Sequence, residues 1–134
     1  MHHAPHTCLA GLVDKAAEAL VNDAPTANEF ACPPRLMDMV GADAAAGAIP
    51  VCLLYSTDTV GGNSGSPVLN AAGEFVAINF DRQRHGLMNE FKWSAAFSRS
   101  IGVDVGYILW LLGTYDGAQA VSYTHLTLPT ICSV

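Results

Sequence analysis

A mainly β fold with flanking helices is the class this sequence predicts, and three observations predict it. Apolar residues near the start recur at helical spacing. From Pro50 onward they gather into short runs of β character separated by turn-forming stretches. Near the end, Asp104 opens a second helical spacing. The 134 residues suit one folding unit, and 51% hydrophobic against 13% charged residues is a globular balance, not a disordered one.

Each element follows from local chemistry. Leu9, Leu12, Val13, Ala16 and Leu20 fall on one helical face and Asn22-Asp23-Ala24-Pro25 stops it, so a helix is predicted over 9–21 and residues 1–24 are read as helical without further assignment. Pro33-Pro34 opens a second short helix carrying Leu36, Met37 and Val40, which Gly41 ends; Gly47 and Pro50 then mark a loop. Val51 to Tyr55, Pro67 to Asn70 and Glu74 to Phe80 read as strands, with Asn70-Ala71-Ala72-Gly73 as a turn between the last two. Asp104 is an N-cap for a helix whose Val105, Ile108, Leu109 and Leu112 share a face, with Gly113 and Gly117 near its end, and this helix is expected to pack on the β layer. Trp93 and Trp110 read as packing aromatics.

The segment from Val121 to Thr130 resembles the translation of a transposase adapter used in sequencing libraries. Residues 121–134 are therefore read as a non-native tail and set aside from fold and function, with the natural sequence expected to break off near Ala120 and the chain to be a fragment.

Several function classes are excluded by charge and hydropathy. A formal charge of -6 without any Lys/Arg run offers nothing to a phosphate backbone, so no nucleic acid partner is expected. The longest apolar stretch, Val103 to Leu112, is interrupted by Asp104 and Gly106 and falls short of the roughly 18 residues of a membrane span. Met1 to His6 has neither the basic flank nor the apolar core of a secretory signal, so any export signal is expected to lie outside this chain. Cys8, Cys32, Cys52 and Cys132 match no zinc or redox spacing and read as isolated buried thiols; a disulfide such as Cys32 with Cys52 stays open for an exported protein. No metal or organic cofactor is implied.

The chemistry is carried by Gly61-Gly62-Asn63-Ser64-Gly65-Ser66-Pro67. A serine hydroxyl attacks a carbonyl only when it is exposed on a tight turn, a base can take its proton, and backbone N–H groups point at the developing oxyanion. The glycines permit such a turn, which makes Ser64 the candidate nucleophile and the N–H groups of Gly62 and Ser64 the candidate oxyanion hole. A plain polar turn is the competing reading of any Gly/Asn/Ser cluster; length, placement between two β runs and the Ser66-Pro67-Val68 ending argue against it. The nucleophile elbow Gly-x-Ser-x-Gly does not fit, since Pro67 follows Ser66. In chymotrypsin-like order the histidine and aspartate precede the serine, yet only His2, His3 and His6 lie upstream, crowded at the terminus and read as incidental. His85 follows the serine and Asp58 lies just before it, so neither suits the base or its orienter, and the triad is expected to be incomplete in this chain.

Pro50-Val51-Cys52-Leu53-Leu54, the stretch from Gly61 to Asn70, Asn79-Phe80-Asp81, and Arg99-Ser100-Ile101-Gly102-Val103-Asp104 followed by Tyr107-Ile108-Leu109-Trp110 together resemble the bacterial dipeptidyl-peptidase 7 and 11 group of serine exopeptidases. The resemblance runs over residues 25–120 and departs at Asp58-Thr59-Val60, where the group usually has Asp-Ile-Thr. It implies that these residues form part of the second β-barrel of a chymotrypsin-like double-barrel serine peptidase, plus a C-terminal helix, and that the catalytic His and Asp and a helical lid lie upstream. It implies peptide substrates, a periplasmic or secreted location and a homodimer of the full-length protein. It also implies that Arg82, after Phe80-Asp81, sets a pocket for Asp or Glu on the acyl side of the cut bond, where the type 7 enzymes carry glycine and prefer apolar side chains. A guanidinium fork holds a carboxylate by two charge-assisted hydrogen bonds, which agrees. Asp81 is read as a second substrate-binding residue that braces this pocket, with a turn-forming role as the alternative.

Two other readings compete. A glutamyl-type endopeptidase shares Gly-Asn-Ser-Gly-Ser-Pro but lacks the Arg99 to Asp104 and Tyr107 to Trp110 segments; a non-catalytic module would keep the turn without a triad. Fewer strands are legible than the implied barrel needs, so unpaired edges and exposed apolar faces are expected.

Overall fold

A computed structural model describes residues 5–21, 31–84, 88 and 91–118, without the side chains of 5–7 and 20–21. Five antiparallel strands form one sheet in the order β1-β2-β5-β4-β3: β1 Pro5–Cys8, β2 Pro50–Tyr55, β3 Pro67–Leu69, β4 Phe75–Arg82 and β5 Ser100–Asp104. Around it lie α1 Leu9–Val21, α2 Pro34–Ala42, the short α3 Ala44–Gly47 and α4 Val105–Trp110, which runs into a π-helical turn at Leu111–Tyr115. The architecture is therefore a mixed sheet and helix, which corrects the mainly β expectation. The strands are as short as three residues while α1 alone runs thirteen.

The sheet forms where alternation is strict. Val51, Leu53 and Tyr55 are buried along β2 while Pro50, Cys52 and Leu54 between them are only half-buried. Its central strand, β5, inverts the usual pattern: Ile101 and Val103 alternate with Ser100, Gly102 and Asp104, yet Ser100 and Gly102 occupy the buried positions. Gly102 is required there: a Cβ on it would stand 3.0 Å from Ala77 Cβ and from Ile78 O, and 3.1 Å from Tyr55 Cε1. The edge strand β1 was unsignalled. It starts on a proline, as edge strands tolerate, and owes its existence to pairing with β2.

Two apolar clusters hold the layers. Leu53, Tyr55, Val68 and Ala77 make one, within the sheet. Leu9, Val40 and Val51 make the other, joining α1 and α2 to β2, with Val13, Leu36, Tyr107 and Trp110 packed against it. The packed face of α1 runs through Leu9, Val13, Ala16 and Ala19; Leu12 is exposed. Asp104 caps α4 as expected, its Oδ1 accepting the N–H of Gly106 at 2.7 Å and of Tyr107 at 3.4 Å. Tyr107 and Trp110 pack against the α1, α2 and β2 cluster; of the expected face, Val105, Ile108 and Leu112 are half-buried and Leu109 is exposed, and a π-helical turn begins at Leu111. The Asn70 turn is also as expected: Asn70 Oδ1 accepts the N–H groups of Ala72 and Glu74, and Gly73 sits at φ +81°. Among the described residues no helix is long and apolar enough to cross a membrane.

Candidate active site

Residues 56–66 join β2 to β3 and carry the glycine-rich motif. Gly62 and Gly65 adopt φ of 94° and 86°, which favour glycine, and bend the chain twice within four residues. Three N–H groups of the turn are taken up: Asn63 donates to Val60 O at 3.3 Å and Ser66 to Asn63 O at 3.1 Å within it, and Gly65 to Asn79 O on β4 at 2.7 Å. Those of Gly62 and Ser64 have no acceptor among the described residues. Ser64 is exposed, and its Oγ donates to Phe80 O over 3.3 Å, long for a hydroxyl and therefore weak.

The loop is tied to the sheet at both ends by buried polar groups. Ser100 Oγ donates to Thr57 O at 2.8 Å and is bonded to Thr59 Oγ1. Asn79 donates its main-chain N–H to Ser66 O at 2.9 Å and its Nδ2 to Asn63 O at 3.0 Å, while its Oδ1 accepts the Tyr55 hydroxyl.

Arg82 reaches the same place through a β-bulge. Asn79 pairs with Gly102, Asp81 with Ile101 and Arg82 with Ser100, so Phe80 is an extra residue on β4. Without it, strict alternation would set Arg82 on the face opposite Asn79; with it, the two share a face. A cavity of about 160 Å³ results, lined among others by Thr59, Gly61, Ser64, Phe80, Asp81 and Arg82. Arg82 is half-buried, with Nη1 closed off from solvent. A guanidinium that lines a small cavity can hold a carboxylate there by charge-assisted hydrogen bonds. Asp81 is exposed at the cavity and its Oδ1 accepts the Arg82 N–H at 2.7 Å.

The structure thus brings Ser64, Asp81 and Arg82 to one cavity, while Gly62 shares the turn with Ser64 without lining that cavity. Asp58 is exposed and lines a second cavity of about 330 Å³ that shares Thr59 and Asn79 with the first. The side chains of all five histidines lie outside the described residues, as does Cys132. Cys8, Cys32 and Cys52 are free thiols; Cys8 is exposed, which corrects the buried reading for that residue, and the Cys32–Cys52 disulfide is not formed. Burial pushes the Cys32 thiol up, and burial together with the Asp104 carboxylate pushes Cys52 up, so neither is an activated nucleophile. Among the described residues no cluster of His, Cys, Asp and Glu could hold a metal ion. The sequence reading missed Tyr55, Asn79, Ser100 and Gly102. One signal was available for Asn79, a polar residue in step with the buried Ala77 of β4.

The profile of the family described as Peptidase S46 matches residues 1–124, and the chain belongs to that family. It is 32% identical over 124 residues to an Asp/Glu-specific dipeptidyl-peptidase of Flavobacterium psychrophilum, a match covering 89% of this chain and 16% of that protein. It is 37% identical over 75 residues to a dipeptidyl-peptidase 7 of Capnocytophaga gingivalis, covering 56% of this chain and 10% of the relative. The crystal structure of Porphyromonas endodontalis DPP11 in complex with the dipeptide Arg-Asp superposes with a TM-score of 0.75 at 30% identity, over 87% of this chain and 16% of that one. The chain thus spans about one-sixth of the length of the first of these relatives.

Proposed function

We propose that this segment supplies the nucleophile and the acidic-side-chain pocket of a serine dipeptidyl-peptidase that releases dipeptides ending in Asp or Glu from peptide N-termini. The observation that carries the proposal is that Ser64 and Arg82 line one small cavity, with Arg82 turned into it by the bulge at Phe80. Ser64 attacks the scissile carbonyl, the N–H groups of Gly62 and Ser64 receive the oxyanion, and the Arg82 fork holds the carboxylate of the residue on the acyl side. Asp81 braces the pocket by fixing the Arg82 backbone. In this reading the five strands belong to the second barrel of a chymotrypsin-like pair, and the base and its orienting aspartate come from outside residues 25–120. The names of the relatives support the acidic preference, because Asp/Glu-specific enzymes and the DPP11 complex with Arg-Asp are among the matches. We place the full-length protein in the periplasm or outside the cell, as a homodimer, on the family resemblance alone.

The test is hydrolysis of fluorogenic dipeptides ending in Asp, Glu, Leu or Ala by the full-length protein. Ser64→Ala is expected to abolish all cleavage, and Arg82→Gly to erase the preference for Asp and Glu. Undiminished cleavage by Ser64→Ala would end the nucleophile assignment, and an unchanged preference in Arg82→Gly would end that of the pocket.

A further inference from the structure

Asn79 is 5% exposed and Tyr55 3% exposed, and although Asn79 lines the cavity beside Ser64 and Arg82, its polar groups are spent on the protein itself. Every polar group of Asn79 is engaged, and three of its four bonds go to residues 63, 65 and 66, which flank the serine on both sides. The bond from Nδ2 to Asn63 O has a particular consequence. Asn63 C=O and Ser64 N–H belong to one planar peptide unit, so whatever fixes the carbonyl fixes the direction of the N–H on its other side. That N–H has no acceptor among the described residues.

The Asn79 amide must present Nδ2, not Oδ1, to Asn63 O, since two carbonyl oxygens repel. The Tyr55 hydroxyl enforces this by donating to Oδ1, and burial pushes its own ionisation up to about 12, so it remains a donor across the working range of pH. Tyr55 reaches across from β2 because Gly102, on the intervening β5, has no side chain to stand in the way.

We infer that Tyr55 and Asn79 are positioning residues for the oxyanion hole: the phenol sets the amide, the amide sets the Asn63–Ser64 peptide, and the peptide aims the Ser64 N–H. The inference rests on the reading of Ser64 as nucleophile. It predicts an effect confined to the transition state, because the aimed N–H bonds most strongly to an oxygen carrying full negative charge.

The experiment uses the full-length protein and three variants, Tyr55→Phe, Asn79→Asp and Ser64→Ala, with rates expressed per active site counted by titration so that unfolded material drops out. Tyr55→Phe removes one oxygen and keeps the ring. It is expected to lower kcat about tenfold with KM within about twofold, and to weaken a dipeptide boronic acid, which forms a tetrahedral adduct, by a similar factor. Affinity for the product dipeptide should stay at the wild-type level. Asn79→Asp turns the Nδ2 donor into an acceptor facing Asn63 O and is expected to lose more than Tyr55→Phe. Wild-type kcat and boronate affinity in Tyr55→Phe, with Ser64→Ala inactive, would overturn the positioning role and leave the nucleophile standing. An equal loss of boronate and product affinity in Tyr55→Phe would also overturn it, by showing general damage. Full activity in Ser64→Ala would remove the nucleophile reading on which both depend.

Discussion

On the proposed reading two side chains set the residue-scale behaviour of the site, Arg82 and Tyr55, and each acts through hydrogen bonds that a close substitution removes. Arg82 offers a planar fork; Arg82→Lys keeps the charge and loses the fork. A charge-assisted hydrogen bond contributes about 1.5–3 kcal/mol, so Arg82→Lys is expected to cost roughly ten- to hundredfold in kcat/KM for dipeptides ending in Asp while still preferring them over Leu. Steady-state rates on the two substrates check this, and loss of preference in the lysine variant would mean that the fork, not the charge, makes the selection. Tyr55 gives a pH signature. Unfolded, its phenol ionises near 10.0; folded, burial holds the proton to about 12. Below pH 10 both states are protonated and its contribution is intact. Between 10 and 12 only the unfolded chain gains by ionising, so stability falls by up to about 1.4 kcal/mol per pH unit. Tyr107 is raised too, by burial first and by the Cys32 and Cys52 thiolates next, and adds to the same limb. The alkaline limb of denaturant unfolding is expected to be shallower in Tyr55→Phe than in the wild type, and an equal slope would mean that the phenol ionises as easily folded as unfolded.

At the scale of elements, legibility followed whether the determinant was local. The glycine-rich turn could be read because two left-handed glycines and the serine sit within a few residues of one another, and β2 and β4 because each is a short apolar run bounded by turn-forming residues. The central strand β5 was missed although Ile101 and Val103 alternate, because its inward face is made by Ser100 and Gly102, one to bond the loop at Thr57 and the other to leave room for Tyr55. The cavity-facing direction of Arg82 was hidden for a related reason. It depends on the bulge at Phe80, which exists only in register with β5, and no spacing within β4 announces it. Gly102→Ala tests this dependence of the site on the centre of the sheet. Two of the three atoms that a Cβ would crowd at 3.0–3.1 Å, Ile78 O and Ala77 Cβ, are backbone or attached directly to it, so the Tyr55 ring must give way first. The variant is expected to lose about 1–3 kcal/mol of stability and to copy the kcat loss of Tyr55→Phe, as read by melting and by turnover per active site. A stable variant with full kcat would show that the ring can shift without disturbing Asn79.

On the scale of the whole molecule, the sheet has two edges and a surface that water should not favour. Phe91 is 86% exposed, Phe97 67% and Met88 64%, and Leu69 stands out from the short edge strand β3. A separate cavity of about 350 Å³ between α1, α2 and α4 is lined by Leu9, Leu12, Val13, Leu36 and Tyr107. Open apolar surface on this scale, next to unpaired strand edges, promotes association and weakens cooperative packing. Among the described residues the two apolar clusters hold three or four buried residues each, so side-chain order there rests on few contacts. Expressed by itself, the 134-residue chain is therefore expected to bind 8-anilinonaphthalene-1-sulfonate, to keep far-ultraviolet dichroism while losing near-ultraviolet signal, and to melt over a broad range. Phe91→Ser with Phe97→Ser should raise its solubility without sharpening the melt, because those side chains touch the surface and not the clusters. A sharp melt with no dye binding would mean that the five strands and their helices close a sufficient core on their own, and that the exposed phenylalanines fold back onto the sheet in solution.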